Sequence, residues 1–244
     1  MLHRISHARY LSILGVLFAV VFSICAIRPW HIQDWMLENV LVLGFVAALA
    51  AFRKRLCFSR FSYTLIFLFL CLHEVGAHYT YADVPYDSWF RGLAGSGLNE
   101  HFGWQRNHFD RLVHFSYGFL LAYPVREVFL RVANVRGFWG YFLPLDLTMS
   151  TSMLYELIEW GAAVNIGGEL GQAYLGTQGD IWDAQKDMAL ASLGALLAML
   201  ATAALNWRYQ RDFAREWNES WRVKGAEPLG EDELARLIRG NPEH

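Results

Sequence analysis

Six apolar stretches, each about as long as a bilayer is thick, set the fold class of this sequence. The hydrocarbon core of a membrane is about 30 Å thick, so a helix needs roughly 20 mainly apolar residues to cross it. The 244 residues are 55% hydrophobic and only 18% charged, which is too apolar for an ordinary soluble domain. The predicted spans cover residues 10–27, 35–52, 61–79, 110–130, 138–163 and 187–206. The sequence therefore predicts an all-α, polytopic six-helix transmembrane bundle.

The basic residues favour one orientation of this bundle. Loops that stay in the cytoplasm carry an excess of Lys and Arg. With six spans, 16 of the 21 basic residues fall on the side of the two termini. The exceptions are Arg28, Arg91, Arg106, Arg111 and Lys186. We therefore expect both termini in the cytoplasm.

Two parts of the chain follow from this pattern, a transmembrane domain at 1–206 and a cytoplasmic tail at 207–244. Within the tail, an aromatic residue recurs at every fourth position, and arginines lie mostly elsewhere around the helix. These aromatic residues are Tyr209, Phe213, Trp217 and Trp221. The spacing predicts an amphipathic C-terminal helix that lies along the inner membrane surface. The alternative interpretation of this amphipathic helix is that it binds a partner helix. A separate short terminal helix is expected over 231–239.

Acids and histidines gather at the end of the predicted bundle that lies opposite the termini. The third span leaves the membrane through LHEVGAHYTYADVPYD, residues 72–87, and the fourth enters through residues 106–115. The fifth span carries two glutamates near this end, and the sixth begins among three aspartates. The candidate metal ligands are His73, Glu74, His78, Asp110, His114, Glu156, Glu159, Asp180, Asp183 and Asp187.

Charge balance makes this zone unusual. A charged side chain inside a span costs about 2.5 to 3.5 kcal/mol, so such residues pair, take up protons or line polar cavities. The acids of the zone are Glu74, Asp83, Asp87, Asp110, Glu156, Glu159, Asp180, Asp183 and Asp187. Only Arg91, Arg106, Arg111 and Lys186 oppose these nine acids. The surplus of carboxylates indicates bound protons or a bound cation.

Helical spacing shows which of these residues share a face. Residues three or four apart lie on one side of a helix, and Asp110 with His114 meets this condition. So do Glu74 with His78, Glu156 with Glu159, and Asp183 with Asp187. Imidazole beside carboxylates favours Zn, Mn or Fe over Mg or Ca. The stretch HEVGAH places its histidines five residues apart, so it is not the HExxH zincin motif.

Each of these residues also has a purely structural interpretation. A single histidine such as His114 is often a hydrogen-bonded packing residue, and Asp83 and Asp87 are equally well explained as solvated loop acids. Glu38 and Asp146, within spans two and five, are expected to hydrogen-bond between helices. The metal site is therefore one hypothesis for the cluster as a whole.

Several other site classes are excluded. The glycine-rich stretch at 165–180 lacks the Lys-Ser or Lys-Thr of a phosphate-binding loop, and no GxSxG nucleophile motif occurs. The three cysteines, Cys25, Cys57 and Cys71, show no CxxC spacing. A formal net charge of −2 gives no indication of nucleic-acid binding.

Four long strings in the chain resemble a known family. They are LHEVGAHYTYADVPY, RNHFDRLVHFSYGFLLAYPVRE, LPLDLTMSTSMLYELIEWGAA and YLGTQGDIWDAQKDM. Through most of 61–205 the chain resembles the YjdF-type bacterial inner-membrane proteins, a family of unknown function. This resemblance implies a multi-pass protein with six helices in the bacterial inner membrane.

A more distant resemblance links one of these strings to the VanZ-like membrane proteins. Their pattern Asp-Lys-x-x-His-Phe is matched by Asp110, His114 and Phe115, while Arg111 replaces the Lys. Ala191 stands where that pattern has Asn. The resemblance implies a function in the cell envelope or in antibiotic resistance.

Three functions remain open at this stage. The first is a hydrolase or transferase that uses a divalent metal ion (Zn, Mn or Fe) on an envelope lipid, with membrane lipids as partners and a lipid-linked substrate. The second is a proton- or cation-coupled transporter, in which the same groups bind and release the ion. The third is a non-catalytic envelope scaffold, which predicts complete pairing of the acids and no cavity.

Overall fold

The computed structural model describes residues 5–168, 171, 175, 177–222, 230 and 238, and these residues form helices and loops without any strand. The helices are α1 (His7–Cys25), α2 (Ile32–Phe52), α3 (Arg60–Tyr79), α4 (Tyr86–Ala94), α5 (Leu98–Phe102), α6 (Phe109–Val132), α7 (Trp139–Ile166), α8 (Asp183–Tyr209) and α9 (Phe213–Ser220). Apart from Ile238, the helix expected over 231–239 lies outside the described residues. An all-α fold is confirmed for the part of the chain that is described.

Each predicted span corresponds to one long helix, namely α1, α2, α3, α6, α7 or α8. Within the described ranges, α1, α2, α3 and α8 are long and apolar enough to cross a membrane. With 24 and 28 residues, α6 and α7 are also long enough, but they are less apolar. Their polar side chains include Asp110, His114, Asp146, Glu156 and Glu159. The two least apolar of the six long helices thus carry four of the ten candidate ligands.

Close packing of α6 against α8 forms the centre of the bundle, and α3 and α7 also pack on α6. Ala122, Ala191 and Ala195 are fully buried where α6 meets α8. Gly118 and Gly194 each lie against the backbone of the opposite helix, and a Cβ atom at either position would clash with it. Small residues allow membrane helices to approach closely. The approach brings the first turns of α6 and α8 together at one end of the bundle, which we call the acidic end.

The connection between α3 and α6 contains structure that the spacing of apolar residues did not predict. Residues 80–108 include the short helices α4 and α5, each of which ends at a glycine in the left-handed region. Those glycines are Gly95, with φ +83°, and Gly103, with φ +67°. Glycine adopts this conformation without a steric penalty, so it commonly terminates a helix.

The tail beyond α8 packs on the protein. The aromatic repeat is divided, because α8 ends at Tyr209 and α9 begins at Phe213. Trp221 stacks on Phe138 with a centroid distance of 4.2 Å, and Trp217 meets the same ring edge to face at 5.5 Å. One aromatic side of α9 therefore contacts the start of α7, which anchors the tail to the end of the bundle opposite the acidic end.

Candidate metal centre

Three ligand-type side chains meet at the acidic end. Asp110 and His114 lie in the first two turns of α6, and Asp187 lies in the second turn of α8. One potential ligand atom from each of the three lies within 4.8 Å of the other two. His114 Nε2 is 3.5 Å from Asp110 Oδ1 and 3.6 Å from Glu156 Oε1 of α7. Three helices thus contribute one nitrogen and several oxygens to a single cluster, which we call the metal cluster.

These side chains are buried, so leaving their polar atoms without a partner costs free energy. Only 2% of Asp187 and 8% of His114 are exposed. Among the residues that the structure describes, none donates a hydrogen bond to Asp187 Oδ1 or to Glu156 Oε1. A buried carboxylate oxygen without a donor costs free energy, and more so when it carries charge.

The donor atoms fit a small divalent cation. Zinc binds imidazole nitrogen and carboxylate oxygen at about 2.0 to 2.2 Å in a tetrahedral arrangement, so two of its ligand atoms lie about 3.4 Å apart. In the structure the three ligand atoms lie within 4.8 Å of one another, so the widest gap exceeds that spacing by at most about 1.4 Å. Rotations of the side chains would therefore be needed to place Asp110, His114 and Asp187 around one ion.

A cavity of about 280 Å³ adjoins the metal cluster between α7 and α8. The acids that line it are Asp110, Glu156, Glu159, Asp183 and Asp187. Trp160 and Thr177 also contribute to its wall. The cavity is large enough to hold water or a small polar group beside the cluster, and it places Glu159 next to the predicted ligands. We call it the polar cavity.

Two of the predicted ligands are already neutralised by basic side chains. Arg106 forms two hydrogen bonds to Asp183, from Nη1 to Oδ1 at 2.6 Å and from Nη2 to Oδ2 at 3.2 Å. Lys186 Nζ and Arg111 Nη2 each donate to Asp180 Oδ2 at 2.6 Å. The hydrogen bond from Lys186 is the largest cause that lowers the pKa of Asp180 to about 2. These ion pairs join the start of α6 to the start of α8 and so hold the metal cluster together.

A second polar row lies next to the metal cluster. Tyr81 Oη is 2.6 Å from His73 Nδ1, and His73 Nε2 is 3.9 Å from Glu38 Oε2. Tyr155 of α7 donates a hydrogen bond to the same Glu38 oxygen at 3.0 Å. The imidazole of His114 lies 5.9 Å from the Tyr155 ring, centroid to centroid. The prediction that Glu38 hydrogen-bonds between helices is confirmed, since this bond joins α2 to α7.

Gly76 explains how Tyr81 reaches this row. After α3, Thr80 and Tyr81 both adopt left-handed backbone angles, with φ +58° and +48°. The Tyr81 N–H returns to the Gly76 carbonyl oxygen at 2.8 Å. A Cβ at position 76 would clash with the Tyr81 ring. The string HEVGAHYTY therefore folds the chain back so that the Tyr81 hydroxyl meets His73, one turn before the glycine.

Other candidate ligands lie away from the metal cluster. His78 Nδ1 is 2.8 Å from the carbonyl oxygen of Cys25 on α1. Glu74, one turn earlier on α3, is fully buried and has no hydrogen-bond donor among the described residues. Asp83 is exposed, and Asp87 Oδ1 accepts a hydrogen bond from the Asn99 N–H at 2.7 Å. The structure thus brings Asp110, His114, Glu156 and Asp187 together, with Glu159 and Asp183 in the adjoining cavity.

Tyr81 and Tyr155 are the residues of this site that the sequence analysis missed. Each joins the site through contacts between segments far apart in the chain, for which residue spacing gives no signal. An acid within an otherwise apolar span was the signal for Glu38.

Comparison with known proteins covers most of the chain. Residues 10–208 match a family model described as a predicted membrane protein (DUF2238). Over 180 residues the chain is 39% identical to the inner membrane protein YjdF of Escherichia coli (strain K12), covering 73% of this chain and 82% of that protein. No solved structure gives a significant match.

Proposed function

We propose that this chain, which belongs to the DUF2238 family of predicted membrane proteins, is a metal-dependent hydrolase or transferase acting on an envelope lipid. The family membership confirms the resemblance to YjdF-type proteins. The protein is a multi-pass protein of the bacterial inner membrane. The observation that carries the proposal is the buried cluster of Asp110, His114 and Asp187, whose ligand atoms lie within 4.8 Å of one another.

The proposal includes a topology of six spans with both termini in the cytoplasm. Helix α6 has 24 residues and so measures about 36 Å, which exceeds the thickness of the hydrocarbon core. The excess of basic residues on the side of the termini supports the orientation. In this orientation the metal cluster lies at the periplasmic end, where the head group of an outer-leaflet lipid reaches it.

Individual residues take separate roles in this proposal. Asp110, His114 and Asp187 hold the ion, and Glu156, 3.6 Å from His114 Nε2, supplies a fourth ligand. Zn, Mn or Fe suits this mixed nitrogen and oxygen set. A bound ion of this kind polarises a phosphoryl or acyl oxygen and lowers the pKa of a water molecule. Glu159 lines the same cavity without belonging to the three-residue set, so we assign it the role of general base.

Two observations favour this function over the alternatives. A scaffold requires every acid to be paired, but no described residue donates a hydrogen bond to Asp187 Oδ1, and a cavity adjoins the cluster. A cation transporter requires polar groups along a path to the other face. Apart from His73, Asp110 and His114, the described residues lining the larger cavity below the cluster are apolar or carry only a hydroxyl group.

Elemental analysis of purified protein tests the proposal. Wild-type protein loaded with zinc, manganese or iron and then desalted is expected to retain a stoichiometric ion. Asp187→Asn and His114→Ala should lose that ion, because each removes one ligand. His78→Ala is the matched control, since His78 bonds the Cys25 carbonyl away from the cluster and its loss should leave metal content unchanged. Wild-type protein that retains no metal, or an Asp187→Asn variant that retains as much as wild type, would overturn the proposal.

A further inference from the structure

A larger cavity, of about 360 Å³, extends from the metal cluster into the bundle between α2, α3, α6 and α7. One face of α6 lines it from Asp110 to Val128. At a rise of 1.5 Å per residue, that stretch of helix is about 27 Å long. Its far end, near the opposite end of the bundle, is lined by Phe58, Pro124 and Val128. We call this space the apolar cavity.

The apolar cavity has a side opening toward the surrounding lipid. Leu41 and Phe45 of α2 line it, and 44% and 39% of these residues remain exposed. One link between α2 and α7 is the hydrogen bond from Tyr155 to Glu38, at the acidic end. Below that bond, the space between these two helices faces the region where lipid chains lie.

The two cavities meet at the metal cluster. Asp110 lines both the apolar cavity and the polar cavity, and His114, 3.5 Å from it, lines the apolar cavity. A polar compartment and an apolar compartment that meet at the Asp110 side chain match the shape of an amphiphile, with its head group on one side and its hydrocarbon on the other. The bilayer supplies such molecules at high concentration.

We propose that the apolar cavity holds the hydrocarbon chain of the lipid substrate, and that this substrate carries one long chain. The inference rests on the proposed function for the position of the head group at the metal cluster. Half of a hydrocarbon core is about 15 Å thick, so a cavity of about 27 Å along α6 takes a chain that passes the bilayer midplane. A volume of about 360 Å³ over that length leaves a narrow bore, which suits one chain rather than two.

The apolar cavity contributes by positioning the lipid rather than by strengthening its binding. A chain that moves from bilayer hydrocarbon into an apolar cavity exchanges one apolar medium for another, so it gains little transfer free energy. The bound chain does lose its freedom to move along the membrane normal and to rotate. A fixed chain sets the depth of the head group against Asp110 and His114, and orientation of this kind can contribute a large part of a rate enhancement.

Photo-crosslinking tests the inference on the full chain in lipid nanodiscs. The probe is hexadecyl phosphate that carries a diazirine on its terminal carbon, and labelled peptides are mapped by mass spectrometry. We expect labelling in the lower half of the apolar cavity, at the turn of α6 that contains Val128 and at Leu49 of α2. Leu121→Trp fills the middle of the cavity and should abolish this labelling. Phe119→Trp, on the exposed side of the same helix, should leave it unchanged.

A second variant and a set of competitor lipids separate the possible outcomes. Val125→Phe, a smaller filling change at the next lining turn, should reduce the labelling even if Leu121→Trp fails to fold. Unlabelled hexadecyl phosphate should compete with the probe, and dipalmitoyl phosphatidic acid and octyl phosphate should not. Labelling confined to outward-facing residues, or equal competition by all three lipids, would show an adventitious chain only and overturn the inference. Cavity labelling in a protein that binds no metal would sustain this inference and overturn the proposed function. Metal binding without cavity labelling would overturn this inference and sustain the proposed function.

Discussion

Replacement of Gly118 by alanine tests whether close contact between α6 and α8 holds the site together. The glycine lies against the backbone of Ala191, and an added Cβ would overlap the Ala191 carbonyl oxygen and approach the amide nitrogen of Ala195. Because these atoms belong to a helix backbone, no side-chain rotation relieves the overlap. The two helices must move apart, and Asp110 on α6 must move relative to Asp187 on α8.

The size of the effect follows from two opposing contributions. Extra methyl groups in a packed core cost about 1 to 3 kcal/mol, and a clash with backbone belongs at the upper end, about 3 kcal/mol. Alanine is a better helix former than glycine by about 1 kcal/mol. The free energy of unfolding should therefore fall by about 2 kcal/mol. For a chain of this size each kcal/mol shifts Tm by about 2 to 4 °C, so Tm should fall by about 4 to 8 °C.

Thermal unfolding of purified protein in detergent, followed by tryptophan fluorescence, measures this change. Gly44→Ala is the matched control, because a Cβ at Gly44 of α2 meets no atom within 4 Å. The control keeps the gain in helix propensity without the clash, so its Tm should equal or exceed that of the wild type. A Gly118→Ala variant as stable as Gly44→Ala would refute the packing argument.

Three further predictions follow from the contacts at the acidic end. The pKa of Asp180 is lowered to about 2, whereas an aspartate in an unfolded chain has a pKa near 4. The stability that this carboxylate contributes is therefore complete above about pH 4 and is lost as the pH falls toward 2. Tm measured against pH should show less acid sensitivity in Asp180→Asn. Arg106→Lys removes the two-point contact with Asp183, and Tm should fall while Arg106→Ala lowers it further. Tyr81→Phe removes one hydrogen bond and should cost about 1 kcal/mol, whereas Gly76→Val displaces the whole ring and should lower Tm by more.

Residue spacing predicted the long helices and one pair of the candidate ligands that the structure brings together, for a simple physical reason. The periodicity of a helix fixes which residues share a face, so Asp110 and His114 were identified together. Glu74 and His78 have the same spacing, yet they face α1, because spacing does not determine how a helix is rotated in the bundle. The rotation depends on tertiary packing.

Residue spacing could not predict contacts between distant segments either, because these contacts also depend on tertiary packing. Arg106 and Arg111 were counted as basic residues of the zone, but their pairing with Asp180 and Asp183 depends on where α6 meets α8. The glycines at the contact, such as Gly118, resemble any other glycine in an apolar helix. The short helices α4 and α5 were missed because they are too brief to show a period, although Gly95 is a typical terminator.

X-ray absorption spectroscopy of zinc-loaded protein tests the central claim most directly, since it reports the atoms bound to the ion. With Asp110, His114 and Asp187 as ligands, we predict one imidazole nitrogen and otherwise oxygen at about 2.0 to 2.2 Å. Because His114→Ala should lose the ion, the desalted variant should give no zinc absorption edge. A sulfur shell at about 2.3 Å, or a spectrum that His114→Ala leaves unchanged, would contradict the assignment of the metal to this cluster.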